Sequence, residues 1–265
     1  NRAHFLPETI DSVLKQGFTD LELIIVDDGS TDNTREVVKA FNDSRIIYVY
    51  QENKGRSKAR NRALELVRGQ YIAFLDSDDK WSKNKLNIQV KMMLESDSMW
   101  SHTNYTRFYP DGRKKSIEVS NFYGNVFPRS ITFNPIATPT VMINRKILIG
   151  NDYFRFPEYI RIGEDTIFWM VISKKYPLLS IDKPLSYIRI RGTNSALNVL
   201  NQIQGRANIW NYIKSNDSSL FKIYLNRIHT FSYIYINGLQ KMVLKFPMFK
   251  NREYLLKFLY SLPWF

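Results

Sequence analysis

The sequence predicts an α/β protein: a mostly parallel central sheet flanked by helices, with a helical extension at the C-terminal end. Helical and strand-like patterns alternate through residues 1–105. Two apolar runs, Leu21–Val26 and Tyr71–Leu75, pass directly into carboxylates, Asp27-Asp28 and Asp76-Ser77-Asp78-Asp79. The last stretch, 201–265, is helical in pattern, aromatic and basic. Strands and helices in βαβα order join through right-handed crossovers, and ligands then bind at the rim formed by the C-terminal strand ends.

Taken in order, Pro7 suits the first turn of a helix whose apolar stripe is Ile10, Val13 and Leu14, ending at Gly17. The strand at 21–26 runs into Asp27–Asp32, a turn rich in helix-capping residues, and Val37, Val38 and Phe41 mark the buried face of the next helix. Ile46–Tyr50 is a strand. Ser57–Val67 is a helix with Ala59, Ala63, Leu64 and Val67 on one face, stopped by Gly69. The strand at 71–75 leads to the acidic cluster, and Leu86–Leu94 is helical. From residue 106 to 200 the pattern loosens. Pro110-Asp111-Gly112 turns between strand-like runs, Pro128, Pro135 and Pro139 punctuate a loop-rich segment, and Val141–Ile143 is a strand. Glu164-Asp165 opens the apolar helix Thr166–Ile172, and Leu185–Ile190 alternates as a strand before Arg191–Ser195.

At 265 residues the chain is long enough for one large domain, or for one domain and an appendage. A hydrophobic content of 44% and a charged content of 24% are those of a globular protein, whereas the formal net charge of +13 favours a phosphate-bearing partner. With no cysteine, disulfides, Cys-ligated zinc and a thiol nucleophile are excluded, and the composition fits a reducing compartment. No run approaches the roughly 18 apolar residues of a transmembrane helix, and no signal peptide is visible.

The chemistry concentrates at the strand ends. Mg²⁺ and Mn²⁺ take oxygen ligands, commonly one or two carboxylates plus substrate phosphates, and Asp76, Asp78 and Asp79 supply such oxygens. The plainer reading is that some of them cap the turn. Asp27 and Asp28 stand where an α/β fold reads a base or ribose, although an Asp-Gly turn needs Asp28 as well. Lys54, Arg56 and Arg60 cluster at a turn and the start of a helix, which suits a diphosphate or a solvated basic face. Asp165 is either a helix cap or a general base. His4, His102 and His229 have no metal-ligand spacing. No Gly-X-Ser-X-Gly, Walker A or Gly-X-Gly-X-X-Gly pattern occurs.

In combination, Asn1–Leu14, Ile24–Asp32, Asn53-Lys54-Gly55 with Ala59-Arg60-Asn61, Tyr71–Asp79 and Gly163-Glu164-Asp165 resemble the inverting family 2 glycosyltransferases of GT-A fold, over residues 1–195. The resemblance implies a nucleotide-sugar donor, with UDP as the expected nucleotide, and a glycan, lipid-linked or protein acceptor. It implies that Asp28, with Asp27, contacts the base, that Asp76 and Ser77 lie near the ribose, and that Asp78 holds Mn²⁺ or Mg²⁺. Lys54 and Arg60 fall at the nucleotide, Asp165 at the general base, and Arg189, Arg191 and Ser195 in a late loop over the diphosphate. Residues 1–105 then form the nucleotide-sugar half and 106–200 the acceptor half of one domain, with 201–265 as an extension.

This chain departs from the family pattern in two places: Arg191 stands where family members often carry His, and the family's opening apolar strand, ending Pro-Thr-Tyr-Asn, would precede Asn1. The expectation is therefore that an interior strand of the sheet is absent from the sequence. Two other classes stay open at this point. A nucleotidyltransferase would release pyrophosphate rather than a nucleoside diphosphate. A non-catalytic basic module for membrane or nucleic acid leaves the acidic strand ends without a role. Under the transferase reading no nucleic-acid partner is expected. The chain is then placed in the cytoplasm or on the cytoplasmic membrane face, with the basic, aromatic helices at 219–245 and 250–265 meeting an anionic membrane or a second copy.

Overall fold

The computed structural model describes residues 1–127, 129–149, 154–192, 194 and 198–217. The chain divides into two compact units. The first comprises Asn1–Arg161 and Phe168–Arg191, and the second Ile162–Ile167 and Gly192–Phe265.

In the first unit, α1 (Leu6–Leu14) carries Pro in its first turn and buries Leu6, Ile10 and Val13, as its stripe requires. β1 (Leu23–Asp28) pairs in parallel with β2 (Ile46–Gln51), from Leu23 opposite Ile46 to Asp28 opposite Gln51, with α2 (Thr34–Lys39) between them in sequence. α3 (Arg56–Leu66) follows Gly55, whose φ of 91° is open to glycine and costly for other residues. β3 (Tyr71–Ala73), β4 (Lys80–Trp81), α4 (Lys85–Glu95), β5 (Trp100–Phe108), β6 (Lys114–Ile117), α5 (Arg129–Thr132), β7 (Met142–Asn144), α6 (Glu164–Ser173) and β8 (Leu179–Arg189) follow. α6 begins in the second unit, which also holds α7 (Val199–Asn216).

The sheet is mixed rather than mostly parallel. β1–β2 stand as a 2-stranded sheet, and a 6-stranded sheet runs β3-β7-β5-β8-β4 with β6 on β5. Within the larger sheet only β5–β8 is parallel, and β3–β7, β5–β7, β4–β8 and β5–β6 are antiparallel. The βαβα rhythm holds for β1 and β2. Beyond residue 95 the tight turn between Phe108 and Lys114 folds β6 back antiparallel onto β5, whereas β7 and β8 reach their antiparallel partners from far along the chain. Among the described strands, β1 pairs with β2 alone and β3 with β7 alone. The expectation for 219–265 lies outside the described residues.

The core of this unit gathers Leu64, Ile72, Trp100, Ile143, Phe156, Phe168 and Trp169, with a second cluster of Val13, Trp81, Leu86, Met93 and Met142 under the acidic loop. β5 is unusual. Ser101, His102, Thr103 and Asn104 are all buried, and their polar groups bond inward. Ser101 Oγ accepts from Gln89, and Asn104 donates to Asp182 and accepts from Val119 N–H. His102 Nε2–H donates to the Phe122 carbonyl at 2.8 Å, while Nδ1 has no hydrogen-bond partner among the described residues.

Burial pushes the His102 pKa down to about 4. A histidine whose folded pKa is depressed contributes stability that is complete above its unfolded pKa of 6.5 and is lost as pH falls from 6.5 toward 4. Other groups titrate in the same window, Asp79 in the opposite sense, so His102 is read as a difference: the urea stability of the parent minus that of His102→Gln, which keeps the donor to Phe122, should fall by about 3 kcal/mol from pH 6.5 to pH 4. A difference that does not change with pH would show that His102 contributes nothing to it.

Candidate functional site

β1 and β2 present their C-terminal ends side by side. Asp27 is buried and accepts from Tyr48 Oη at 2.6 Å and Ser30 N–H at 2.9 Å. Burial alone would raise its pKa, but the hydrogen bonds from Tyr48 and Ser30 outweigh burial and hold it below the usual carboxylate value. Asp28 accepts from Gln51 Nε2 at 2.7 Å and from the backbone N–H groups of Lys54 and Gly55, each at 2.8 Å. Asp28 thus fixes the loop at 53–55 and leaves the Lys54 side chain exposed. Gly29 makes this packing feasible: its φ is 75°, and a Cβ there would lie 2.7 Å from Asn53 N.

The acidic loop between β3 and β4 meets its cations one by one. Asp76 pairs with Arg60 at 3.0 Å, and the Arg60 guanidinium lies 5.2 Å from the centre of the Phe156 ring. Asp78 Oδ2 is 2.7 Å from Arg191 Nη2, with side chains 12% and 17% exposed. Asp79 is buried and accepts from Arg189 N–H at 2.8 Å, while Arg189 Nε–H donates to the Asp78 carbonyl at 2.9 Å. Burial and the neighbouring charges of Asp76 and Asp78 push the Asp79 pKa up to about 8 against the opposing Arg189 N–H. Asp79 is therefore a structural member of the loop, while the buried Asp78 carboxylate faces Arg191.

α1 ties the two acidic regions together. Thr9 Oγ1 lies 2.8 Å from the Asp79 carbonyl and 3.2 Å from that of Ser77. At the other end, Asn1 bonds to Ser30 and Thr31, and Ala3 N–H donates to Asp32 at 3.1 Å. Glu8 bonds to both Lys80 and Arg189. Burial would raise the Glu8 pKa, but these two bonds prevail and hold it low. Beside the loop is a cavity of about 370 Å³ lined by Arg2, His4, Phe5, Pro110, Arg189 and Arg191.

In the second unit, Gly163 has a φ of 85°, and a Cβ on it would come within 3.2 Å of both Cα and O of Gly205 in α7. Asn208 Nδ2 donates to the Ile162 carbonyl at 2.9 Å. This backbone-on-backbone contact fixes the turn that presents Asp165 on the first turn of α6, where its Oδ1 accepts from Thr166 N–H at 2.7 Å.

Of the residues expected from sequence, the first unit brings together Asp27, Asp28 and Lys54 at one strand-end pair. It brings Asp76, Ser77 and Asp78 together with Arg60, Arg189 and Arg191 at the neighbouring loop. Asp165 belongs to the second unit, and Ser195 lies outside the described residues. Glu8, Thr9 and Phe5 escaped the sequence reading as site residues. An acid directly after a first-turn proline reads as ordinary helix chemistry, and only the fold reveals that Glu8 faces Arg189.

The donor set suits a hard divalent cation. Asp78 offers carboxylate oxygen in the loop between β3 and β4, and among the described residues no group of three His, Cys, Asp or Glu forms an all-protein cage. A cation held by one carboxylate and completed by phosphate and water fits that pattern.

Asp28→Asn would set an amide NH₂ against N–H groups that need acceptors. It should cost about 2 kcal/mol in denaturant unfolding, with Gln51→Leu, which removes one donor only, costing less. Equal stability of Asp28→Asn and the parent would contradict the anchoring role.

Comparison with known proteins is consistent with this geometry. The sequence model for glycosyl transferase family 2 matches residues 1–150. An uncharacterized glycosyltransferase of Rickettsia bellii is 42% identical over 219 residues, covering 82% of this chain and 31% of that protein. The Escherichia coli protein WfgD, named a UDP-Glc:alpha-D-GlcNAc-diphosphoundecaprenol beta-1,3-glucosyltransferase, is 37% identical over 69% of this chain and 70% of its own length. S. aureus TarS in complex with UDP superposes with a TM-score of 0.61 at 23% identity, covering 98% of this chain and 84% of that one, a likeness that supports the GT-A fold. The chain spans 31% to 41% of the lengths of its Rickettsia relatives. With the family model matching residues 1–150, more than half of the chain, the chain belongs to glycosyl transferase family 2.

Proposed function

We propose that this chain is the catalytic region of an inverting, metal-assisted glycosyltransferase. It would move a hexosyl or N-acetylhexosaminyl group from a UDP-sugar to a hydroxyl of a lipid-linked glycan. The observation that carries the reading is the α1 staple, with Asn1 and Ala3 on the 30–32 loop and Thr9 on the 77–79 loop. It holds two acidic strand ends, with their arginines, as one polar rim. The lipid-linked acceptor is suggested by the name of the E. coli relative, and a hydrophobic carrier would keep the enzyme at a membrane face. No helix among the described residues is long and apolar enough to cross a membrane.

In this reading, Asp27 and Asp28 read the base and the edge of the ribose. Asp28 keeps lone pairs beyond the bonds it makes to the 53–55 loop. The Lys54 ammonium and the Arg60 guanidinium add positive charge on the nucleotide side, and Arg60 also holds Asp76 toward the ribose. Asp78 would hold Mn²⁺ or Mg²⁺, which when bound supplies Lewis-acid neutralisation of the departing diphosphate. Arg189 and Arg191, with Ser195, close on the same phosphates. Asp165 takes the proton from the acceptor hydroxyl as its oxygen forms the new bond to the anomeric carbon. The bond to the UDP oxygen breaks on the opposite face, and the configuration inverts.

Asp165→Asn should lower turnover at least hundredfold while UDP binding by calorimetry stays within about twofold of the parent. Parental turnover in that variant would refute the base. With the parent protein, a panel of nucleotide sugars and Mn²⁺, the nucleotide product should be UDP, and release of pyrophosphate instead would overturn the reaction class.

A further inference from the structure

We propose that Arg191 and the divalent cation are alternative partners of the Asp78 carboxylate, so that Arg191 holds the cation site shut until a diphosphate draws it away. The inference rests on the reading of Asp78 as the cation ligand and extends it to the donor-free protein.

The Arg191 Nη2 to Asp78 Oδ2 contact of 2.7 Å is a charge-assisted hydrogen bond in a partly dry setting, with the two side chains 17% and 12% exposed. A divalent cation on the same carboxylate would place three positive charges around one negative charge, with a guanidinium in the approach to Oδ2. Low solvent exposure strengthens that repulsion. The neighbouring positive groups leave little to offset it. Arg189 is held by the Asp78 carbonyl and by Glu8, and Glu8 is itself shared with Lys80.

Arg191 has somewhere to go. It already lines the cavity of about 370 Å³ with Arg2, His4 and Arg189, and its guanidinium lies 5.8 Å from the centre of the Phe5 ring, with that of Arg189 at 4.6 Å. Among the described residues no carboxylate lines this cavity, so a phosphoryl group there is the natural new partner for a released guanidinium. Gly192 follows at a φ of 76°, and nothing among the described residues lies within 4 Å of where its Cβ would be. The exchange moves no covalent bond. Arg191 passes from carboxylate to phosphate, and the cation takes the carboxylate it leaves.

Linkage then requires that cation and diphosphate favour each other's binding, and that removing the guanidinium favour the cation alone. Mn²⁺ binding to the donor-free chain can be read by electron paramagnetic resonance of the free ion, with thermal unfolding without metal as a check on folding. Arg191→Gln should tighten Mn²⁺ about tenfold and weaken metal-free UDP about tenfold, and Arg191→Lys, which keeps the charge, should leave Mn²⁺ near the parental affinity. Equal Mn²⁺ affinity in the parent and Arg191→Gln, with Asp78→Asn still abolishing binding, would overturn the exchange and leave Asp78 as the ligand. Mn²⁺ binding indifferent to Asp78→Asn would overturn both the exchange and the assignment of the cation to Asp78.

Discussion

Placing Asp76, Asp78 and Asp79 within one turn creates a repulsion that the rest of the first unit is arranged to absorb. Each carboxylate meets a positive or hydrogen-bonding group delivered from a distant part of the chain: Arg60 from α3, Arg191 from beyond β8, and the Arg189 backbone N–H from the end of β8 itself. Asp79 is additionally relieved by holding its proton. Because β8 supplies both Arg189 and the parallel partner of β5, the loop can be neutralised only when the central strands are in register. The site and the sheet are in this sense one construction.

The acidic strand ends were legible because a buried apolar run followed by carboxylates has few physical explanations. The helices α1, α3, α4 and α6 were legible as elements, and α1 buries its expected stripe, but α3 buries Ser57 and Asn61 with Leu64 rather than the expected Ala59, Ala63, Leu64 and Val67 face. β5 was only partly visible. Ser101, His102, Thr103 and Asn104 break the apolar pattern, and nothing local announces that Gln89, Phe122, Val119 and Asp182 receive them. The Pro110-Asp111-Gly112 turn of the β5–β6 hairpin was legible, whereas the antiparallel pairings of β3, β4 and β7 join strands far apart in sequence that no local pattern connects.

Within the site, residue types were easier to read than their partners. Asp28 was expected to face a ligand, and the structure shows it accepting three internal hydrogen bonds that no local pattern announced. Arg189 and Arg191 stood out through family resemblance, whereas their engagement with Glu8 and Asp78 depends on contacts spanning most of the chain. Glu8 illustrates the limit well: an exposed-looking helix acid becomes a junction between α1, β4 and β8 only once the sheet has formed.

The meeting of Gly163 with Gly205 has an evolutionary reading. The two positions are not equivalent: at Gly163 the backbone has a φ of 85° and a Cβ would crowd Gly205 at 3.2 Å, whereas a Cβ at Gly205 would make only ordinary contact with Ile162 at 3.5 Å. Change in that corner is therefore open on the helix and closed on the turn. The turn bearing Asp165 is thereby tied to one residue, Gly163, while its helical neighbour keeps room for a methyl group.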